Sequence, residues 1–222
     1  DLTDTLIDND LAPLVDDLPT AEESGGAVTL NAVLEGTEDD DTLTGTARDD
    51  EIDGLAGNDT ISGRAGDDEL GGGLGDDVIT GGRGADDIDG GQDNDDLSGG
   101  AGRDDIDGGS GNDTLSGGRG GDDLSGGAGD DILIGGRGRD DLDGGAGADV
   151  FVFAGRFGKD EIGDFEIGVD SVDLSALGVD FDDLTLRSRD GGDDTLVQIG
   201  GNCILLEDIE RTEVTAALFD FG

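Results

Sequence analysis

The 222-residue sequence contains no His, Trp, Tyr or Met, and it has one Cys and two Pro. Without His it can carry neither a His-Glu-x-x-His zinc site nor a nucleophile activated by His. The single cysteine, Cys203, cannot form an internal disulfide, so something else must hold the fold together. The sequence also lacks a Walker A loop, a Gly-x-Ser-x-Gly motif and an EF-hand loop. We therefore expect no enzymatic activity from this chain.

Positive charge is scarce. Lys and Arg together number 12 against 58 Asp and Glu, which gives a formal net charge of −46 at pH 7. Nucleic acids and anionic membranes would be repelled by such a chain, so we expect neither as a partner and expect cations instead. No apolar run approaches the roughly 20 residues of a membrane helix, and no N-terminal signal peptide is visible. Because the chain begins at Asp1, we expect it to be a fragment or a processed form.

Glycine is abundant, with 46 residues, and its spacing reveals internal repeats. From Gly36 to Val152 the sequence repeats every nine residues, 13 times, without an insertion. Position 1 is always Gly, position 6 always Asp and position 8 always apolar, while position 4 is Gly in ten repeats. The first four repeats are the most degenerate. A composition that resembles a disordered chain is therefore mostly an ordered motif.

The nonapeptide predicts a coil made of two repeats. Glycines at positions 1, 2 and 4 permit positive φ, so we expect the first six residues to form a tight turn with exposed carbonyl groups. The last three residues should form a short strand with position 8 inward and positions 7 and 9 outward. Each repeat reverses the chain once, so one coil has 18 residues. Odd-numbered and even-numbered repeats then form two parallel sheets.

Cation sites are predicted between turns that stack one coil apart. Each gap holds two position-6 carboxylates and several glycine carbonyls, which are the hard oxygen ligands that Ca²⁺ prefers; Mg²⁺ is smaller and fits worse. The predicted carboxylate ligands are Asp41, Asp50, Asp59, Asp68, Asp77, Asp86, Asp95, Asp104, Asp113, Asp122, Asp131, Asp140 and Asp149. The predicted carbonyl ligands belong to Gly72, Gly75, Gly81, Gly84, Gly99, Gly102, Gly108, Gly111, Gly117, Gly120, Gly126, Gly129, Gly135 and Gly138. At most 11 ions fit, and we expect the roll to fold only when calcium is present.

The two predicted sheets differ in charge. At position 7 every even-numbered repeat is acidic, whereas the odd-numbered repeats carry mostly Thr, Val and Ile; position 9 follows the same division. All seven Arg of the repeats lie in even-numbered units. The simplest interpretation is a solvated acidic face with Arg at its rim. The alternative is that the neutral face, with Val78 and Ile132 on it, docks the C-terminal segment or an upstream domain.

The flanks predict two further regions. Residues 1–35 contain both prolines and many acids, and we interpret them as an acidic linker from an absent upstream domain. All seven Phe lie at or beyond residue 151, so residues 153–222 should form a β-rich cap with a conventional core. Strands are expected at 195–199 and 203–206, with Gly-Gly hairpin turns at 191–192 and 200–201, and Cys203 is expected to fill the core.

The motif Gly-Gly-x-Gly-x-Asp-x-apolar-x, as in residues 126–134, resembles the repeats-in-toxin (RTX) family. The stretches 148–153, 160–165, 170–175 and 216–221 are similar to the C-terminal region of serralysin-type secreted metalloproteases and related exoproteins. The resemblance implies an all-β fold, a right-handed parallel β-roll at 36–152 followed by a small β-rich cap that carries a type I secretion signal. It also implies a bacterial, extracellular protein that a type I ABC exporter secretes and that folds on meeting calcium. Family members end in an acid followed by apolar residues, whereas this chain ends in Gly222.

Three functions remain open at this stage. The first is a calcium-binding module that supports secretion and stability of a larger exoprotein. The second is the tail of a secreted zinc metalloprotease, lipase or polysaccharide-modifying enzyme, whose His-Glu-x-x-His or Gly-x-Ser-x-Gly motif would lie upstream. The third is a structural surface or adhesive protein, in which the upstream sequence would hold only further repeats.

Overall fold

A computed structural model describes residues 31–189 and 191–222. The predicted linker therefore lies outside the described residues, apart from 31–35. The first ten strands are β1 (Val33–Glu35), β2 (Thr42–Thr44), β3 (Glu51–Asp53), β4 (Thr60–Ala65), β5 (Glu69–Leu74), β6 (Val78–Arg83), β7 (Asp87–Gln92), β8 (Asp96–Ala101), β9 (Asp105–Ser110) and β10 (Thr114–Arg119). The others are β11 (Asp123–Ser125), β12 (Ile132–Arg137), β13 (Asp141–Asp143), β14 (Val150–Val152), β15 (Lys159–Ile162), β16 (Ser171–Asp173), β17 (Thr185–Arg189), β18 (Asp194–Ile199), β19 (Asn202–Leu206) and β20 (Phe219–Asp220).

Helical structure in the described part of the chain is limited to three short 3-10 helices, at Ser175–Leu177, Phe181–Asp183 and Ala216–Leu218. None of them has the length and hydropathy that a membrane-crossing helix requires. The predicted all-β class is therefore confirmed.

The strands form two parallel sheets that alternate along the chain. Sheet A has the order β1-β3-β5-β7-β9-β11-β13-β15-β19-β18-β17, and sheet B has the order β2-β4-β6-β8-β10-β12-β14-β16-β20. Neighbouring strands within the repeats pair at a fixed offset of 18 residues, for example Ile88 with Ile106. The chain is therefore a β-solenoid of about eight coils, as the nonapeptide period predicted.

Each regular repeat contributes one apolar side chain, at position 8, to the core of the solenoid. Position 8 is buried in twelve of the thirteen repeats, from Ile52 to Phe151, and Leu43 in the first repeat is half-buried. Burial of these aliphatic side chains on both inner faces supplies the apolar contribution to stability. Positions 7 and 9 face outward, as their two-residue alternation requires.

The prediction of a six-residue turn and a three-residue strand is wrong for most of the roll. Strands such as β6 contain six residues, because the ladder continues as far as position 3 of the next repeat. The turn itself comprises only positions 4 to 6. Glycine at position 2 lies within the ladder at positive φ, as for Gly82 at +118°. The pairing of β6 with β8 omits the position-1 pair, Gly81 with Gly99, and the ladder resumes at position 2, where the strand bends into the turn.

Beyond the regular repeats both sheets continue. Strand β15 pairs in parallel with β13, and β16 with β14. Strands β17, β18 and β19 then add two antiparallel hairpins to sheet A. Strands β18 and β19 and both Gly-Gly turns lie where the sequence predicted them, whereas β17 was not predicted. Four aromatic contacts, among them Phe153–Phe157 at 4.9 Å between ring centroids, fill this end of the core.

Two predictions for the C-terminal region are wrong. Cys203 is half-buried, because its neighbour Ile204 takes the inward position of β19. The C-terminal segment extends the sheets edge to edge and leaves Val78 and Ile132 on the neutral face 46% and 40% exposed. Docking of an upstream domain on that face stays a prediction.

Candidate metal centre

The position-6 aspartates form two ranks, one in each stack of turns. The rank of even-numbered repeats runs from Asp50 to Asp140, and the rank of odd-numbered repeats runs from Asp41 to Asp149. All except Asp41 are buried. The structure thus brings the sequence-predicted carboxylates together at a spacing of one coil.

One oxygen of each carboxylate is used to join neighbouring coils. The backbone N–H of Asp77 donates to Oδ1 of Asp95 at 2.8 Å, and the N–H of Asp95 donates to Oδ1 of Asp113 at 2.8 Å. The same bond recurs through both ranks, and it satisfies a backbone donor that the turn would otherwise leave unpaired. Each aspartate is therefore held by its own rank before any ion is considered.

The other carboxylate oxygen is buried and has no hydrogen-bond partner. This holds for Oδ2 of twelve aspartates, namely Asp59, Asp68, Asp77, Asp86, Asp95, Asp104, Asp113, Asp122, Asp131, Asp140, Asp149 and Asp160. A buried anionic oxygen without a partner is costly, so each of these atoms needs a proton or a cation.

Backbone oxygens lie beside these orphaned atoms. Asp77 Oδ2 and the carbonyl oxygen of Gly90 both face the Cα of Gly72, where any Cβ would collide with them. Position 1 is thus glycine because of close approach, and the predicted positive φ at position 1 is wrong for Gly72. The glycines at positions 2 and 4, except Gly102, do have positive φ: Gly84, at position 4, has φ +132° and lies over the carbonyl oxygen of Gly66.

The donor set fits a hard cation that accepts carbonyl ligands. Within residues 31–189 and 191–222, no group of three or more His, Cys, Asp or Glu side chains could hold a metal ion. Each gap therefore offers two carboxylates, and the remaining ligands must be backbone carbonyls or water. Calcium, which accepts six to eight oxygens in irregular geometry, suits this set better than magnesium.

Burial also changes the acidity of the ranks. Burial raises the pKa of Asp95 to about 7 and the pKa of Asp86 and Asp122 to about 6. The effect is largest at Asp160, whose pKa burial raises to about 8. Neighbouring carboxylates add to the rise for Asp95. Near neutral pH protons and cations would thus compete for the same oxygens.

The first two turns close differently. Thr37 stands at position 2 of the first repeat, and its N–H and hydroxyl both donate to Asp41 Oδ2, at 2.7 and 2.8 Å. The N–H of Thr46 likewise donates to Oδ2 of Asp50, and its hydroxyl donates to Oδ1. These bonds satisfy the oxygen that is orphaned elsewhere. The sequence signal was Thr in place of Gly at position 2.

The odd-numbered turns carry a second rank at position 5, which was not predicted from the sequence. The N–H of Asn94 donates to Oδ1 of Asp76 at 2.9 Å, and the N–H of Asn112 donates to Oδ1 of Asn94 at 2.9 Å. These exposed side chains join successive turns. The available signal was Asn or Asp at position 5 in six of the seven odd-numbered repeats.

Two aspartates beyond Val152 continue the ranks and were not predicted from the sequence. The N–H of Asp140 donates to Asp160 Oδ1 at 3.1 Å, and the N–H of Asp149 donates to Asp170 Oδ1 at 3.0 Å. Their spacings from the preceding aspartates are 20 and 21 residues, so a strict period of 18 does not find them.

Comparison with known proteins identifies the repeat. The model of the RTX calcium-binding nonapeptide repeat matches four times, at residues 35–70, 65–97, 89–124 and 116–151, which together span more than half of the chain. No curated protein matches.

Three solved structures are similar to this chain, and their sequence identity, coverage and TM-score are as follows. The AlgE6R3 subunit of the Azotobacter vinelandii mannuronan C5-epimerase is 32% identical, with 59% of this chain and 79% of that chain covered and a TM-score of 0.34. The AlgE6R2 subunit of the same epimerase is 30% identical, with 59% and 90% covered and a TM-score of 0.32. The extracellular lipase LipA from Serratia marcescens is 18% identical, with 91% and 41% covered and a TM-score of 0.34. This chain thus spans less than half of the length of that lipase.

Proposed function

Because the chain belongs to the RTX calcium-binding nonapeptide repeat family, we propose that calcium bound between its stacked turns completes the fold once the protein is outside the cell. RTX nonapeptide repeats bind calcium. The twelve buried, unpartnered Oδ2 atoms in this chain are the observation that carries the proposal. The ligands would be the position-6 aspartates whose Oδ2 is unpartnered, together with the glycine carbonyls predicted from the sequence.

Calcium would act here as a structural ligand. Each ion would neutralise charge inside a rank where carboxylates lie one coil apart, and its binding free energy would be folding free energy. In a compartment with little calcium the chain would stay open, which suits export. Where calcium is plentiful the same residues would become the ligand set.

We further propose that the chain is the calcium-binding module of a larger bacterial exoprotein, secreted by a type I ABC exporter. The similarity of residues 216–221 to the C-terminal region of secreted exoproteins supports this role. Export in a host that carries a type I exporter, with and without residues 195–222, would test it. Secretion that does not depend on these residues would remove the C-terminal signal from the proposal.

The calcium function is tested by far-UV circular dichroism of the chain during a calcium titration. Asp95→Asn removes a charged ligand in the middle of one rank. The matched control, Asp96→Asn, removes the same charge from the adjacent outward-facing side chain. We expect Asp95→Asn to raise the calcium midpoint several-fold and to cost about 3 kcal/mol of stability at a hundred times the dissociation constant.

The control variant should leave the midpoint nearly unchanged, because Asp96 is exposed. Two results would contradict the proposal. One is a β signal in excess chelator equal to that in calcium. The other is an equal midpoint shift in both variants, which would indicate a general effect of charge.

A further inference from the structure

Residues 155–163 repeat the nonapeptide pattern two residues out of register. They read Gly-Arg-Phe-Gly-Lys-Asp-Glu-Ile-Gly, so that Gly155, Gly158, Asp160 and Ile162 take positions 1, 4, 6 and 8. The two residues at 153–154 separate this unit from the thirteenth regular repeat. The family match ends at residue 151 and does not include it.

The backbone of this unit reproduces a repeat turn. Gly158, at φ +109°, forms a parallel β-bridge with Gly138, which is the position-4 glycine one coil earlier. The N–H of Gly138 donates to the carbonyl of Phe157 at 2.9 Å, as the N–H of Gly120 donates to the carbonyl of Arg137 within the regular repeats. Gly155 departs from the pattern, because nothing lies within 4 Å of a Cβ built on it.

The carboxylates on both sides of this gap are buried and incompletely satisfied. Asp140 and Asp160 are 1% and 2% exposed, and Oδ2 of each has no hydrogen-bond partner. The salt bridge nearby, between Arg139 and Glu161 at 3.2 Å, lies on the outer surface and involves neither aspartate. In the described chain no N–H or hydroxyl group donates to either Oδ2, and the two carboxylates lie close enough to interact with each other, so the pair needs a shared proton or a cation.

Asp160 is the last carboxylate of its rank. The residue that pairs with it in the next strand is Ile204, which offers no side-chain oxygen. The other rank ends differently, because Asp170 Oδ2 accepts the N–H of Glu166 at 2.7 Å and is satisfied within the chain. Of the two C-terminal rank ends, only the one at Asp160 therefore has a last carboxylate oxygen without a hydrogen-bond donor.

We propose that the space between Asp140 and Asp160 binds a calcium ion, and that this ion fixes the cap to the roll. Strand β15, which contains Asp160, joins β13 of the roll to β19 of the cap, and β19 in turn carries β18 and β17. In sheet A, β15 is therefore the strand through which the hairpins pair with the roll. The inference rests on the proposed function and adds a site outside the thirteen repeats.

The test counts bound calcium by native mass spectrometry of the whole chain. Asp160→Asn keeps an oxygen that can accept the N–H of Asp140 but removes the charge, so we expect one ion fewer than in the unaltered chain. The control is Asp141→Asn, which removes one exposed carboxylate from the adjacent strand. We expect its ion count to equal that of the unaltered chain. Equal counts for Asp160→Asn and the unaltered chain would overturn the inference.

A second measurement uses the unaltered chain and does not depend on whether a variant folds. Hydrogen exchange followed by mass spectrometry, at graded calcium concentrations, should show residues 155–163 and strands β18 and β19 becoming protected as calcium rises. Full protection of 155–163 in excess chelator would overturn the inference. If the repeats bind calcium but the protection of these segments does not change with calcium, only this inference fails. If the chain binds no calcium, the proposed function fails as well.

Discussion

At the scale of single residues, the glycine positions that recur from repeat to repeat are glycine for different physical reasons. Position 2 requires a left-handed backbone, as for Gly100 at φ +108°, and its Cα also lies against the carbonyl oxygen of Gly82. Position 1 has an ordinary φ but lies against a carboxylate oxygen and a carbonyl oxygen, as Gly72 does. Glycine at position 1 is therefore tied to the candidate metal site, whereas glycine at position 2 is tied to the bend of the strand.

Gly100→Ala should destabilise the roll by about 1–3 kcal/mol, because the new Cβ would force an unfavourable φ and a backbone collision. Gly71→Ala is the matched control: Gly71 lies in β5 at ordinary φ, and the nearest atom to its Cβ, Asp53 Oδ1, is 4.0 Å away. It should be neutral or stabilising by about 0.5–1 kcal/mol. Urea unfolding in saturating calcium measures both. Equal effects of the two substitutions would contradict this account of position 2.

At the scale of elements, the ranks of aspartates make the solenoid sensitive to pH. Burial raises the pKa of Asp95 to about 7 and that of Asp160 to about 8, above the values expected in an unfolded chain. The folded state without calcium therefore binds more protons than the unfolded state. Its stability is fully present below the unfolded pKa near 4 and is lost as pH rises through 6 to 8.

We therefore expect the calcium-free chain to show more β structure at pH 4.5 than at pH 8. Calcium should restore that structure at pH 8 and should release protons when it binds near pH 7. Circular dichroism of calcium-depleted protein across this range, with calorimetry in two buffers of different ionisation enthalpy, measures both effects. A calcium-free β signal that increases with pH would show that the orphaned oxygens do not control folding.

Much of this element structure follows from the sequence. The period of nine, together with alternation at positions 7 to 9, predicts the two parallel sheets, the inward row of apolar residues and the two ranks of aspartates. The length of the strands was not predictable, because glycine-rich segments carry no side-chain period and only the ladder between coils shows that positions 1 to 3 are extended. Asp160 was missed because two inserted residues at 153–154 lengthen its spacing from Asp140 to 20 residues without breaking the stack.

The hydrogen bonds in the first two turns could not be predicted from the sequence either. Thr37 and Thr46 appear in the sequence only as departures from glycine, and degeneracy at the end of an array usually indicates a weakened site. The structure shows instead that their N–H and hydroxyl groups occupy the carboxylates. A pattern of residues predicts where a carboxylate lies, but its hydrogen bonds decide whether it still needs a cation.

At the scale of the whole molecule, the net charge of −46 and the orphaned oxygens are separate obstacles to folding. The charge acts at long range and is weakened by any salt, since the Debye length is about 3 Å in 1 M salt. The orphaned oxygens lie inside the turns and need a ligand in direct contact. Screening alone should therefore remove the first obstacle and leave the second.

Sodium chloride at 1 M should consequently fail to fold the calcium-free chain at pH 8, whereas millimolar calcium at low ionic strength should fold it. Small-angle scattering should report a radius of gyration that approaches the unfolded value of about 50 Å in chelator, contracts slightly in 1 M salt and contracts strongly in calcium. Magnesium at the same concentration as calcium is the control for divalent charge, and it should act mainly as a screening ion because its strict octahedral geometry suits these carbonyl-rich gaps poorly. Compaction with full β structure in sodium chloride alone would mean that charge repulsion is the only obstacle to folding. The buried, unpartnered oxygens of the turns would then need no calcium.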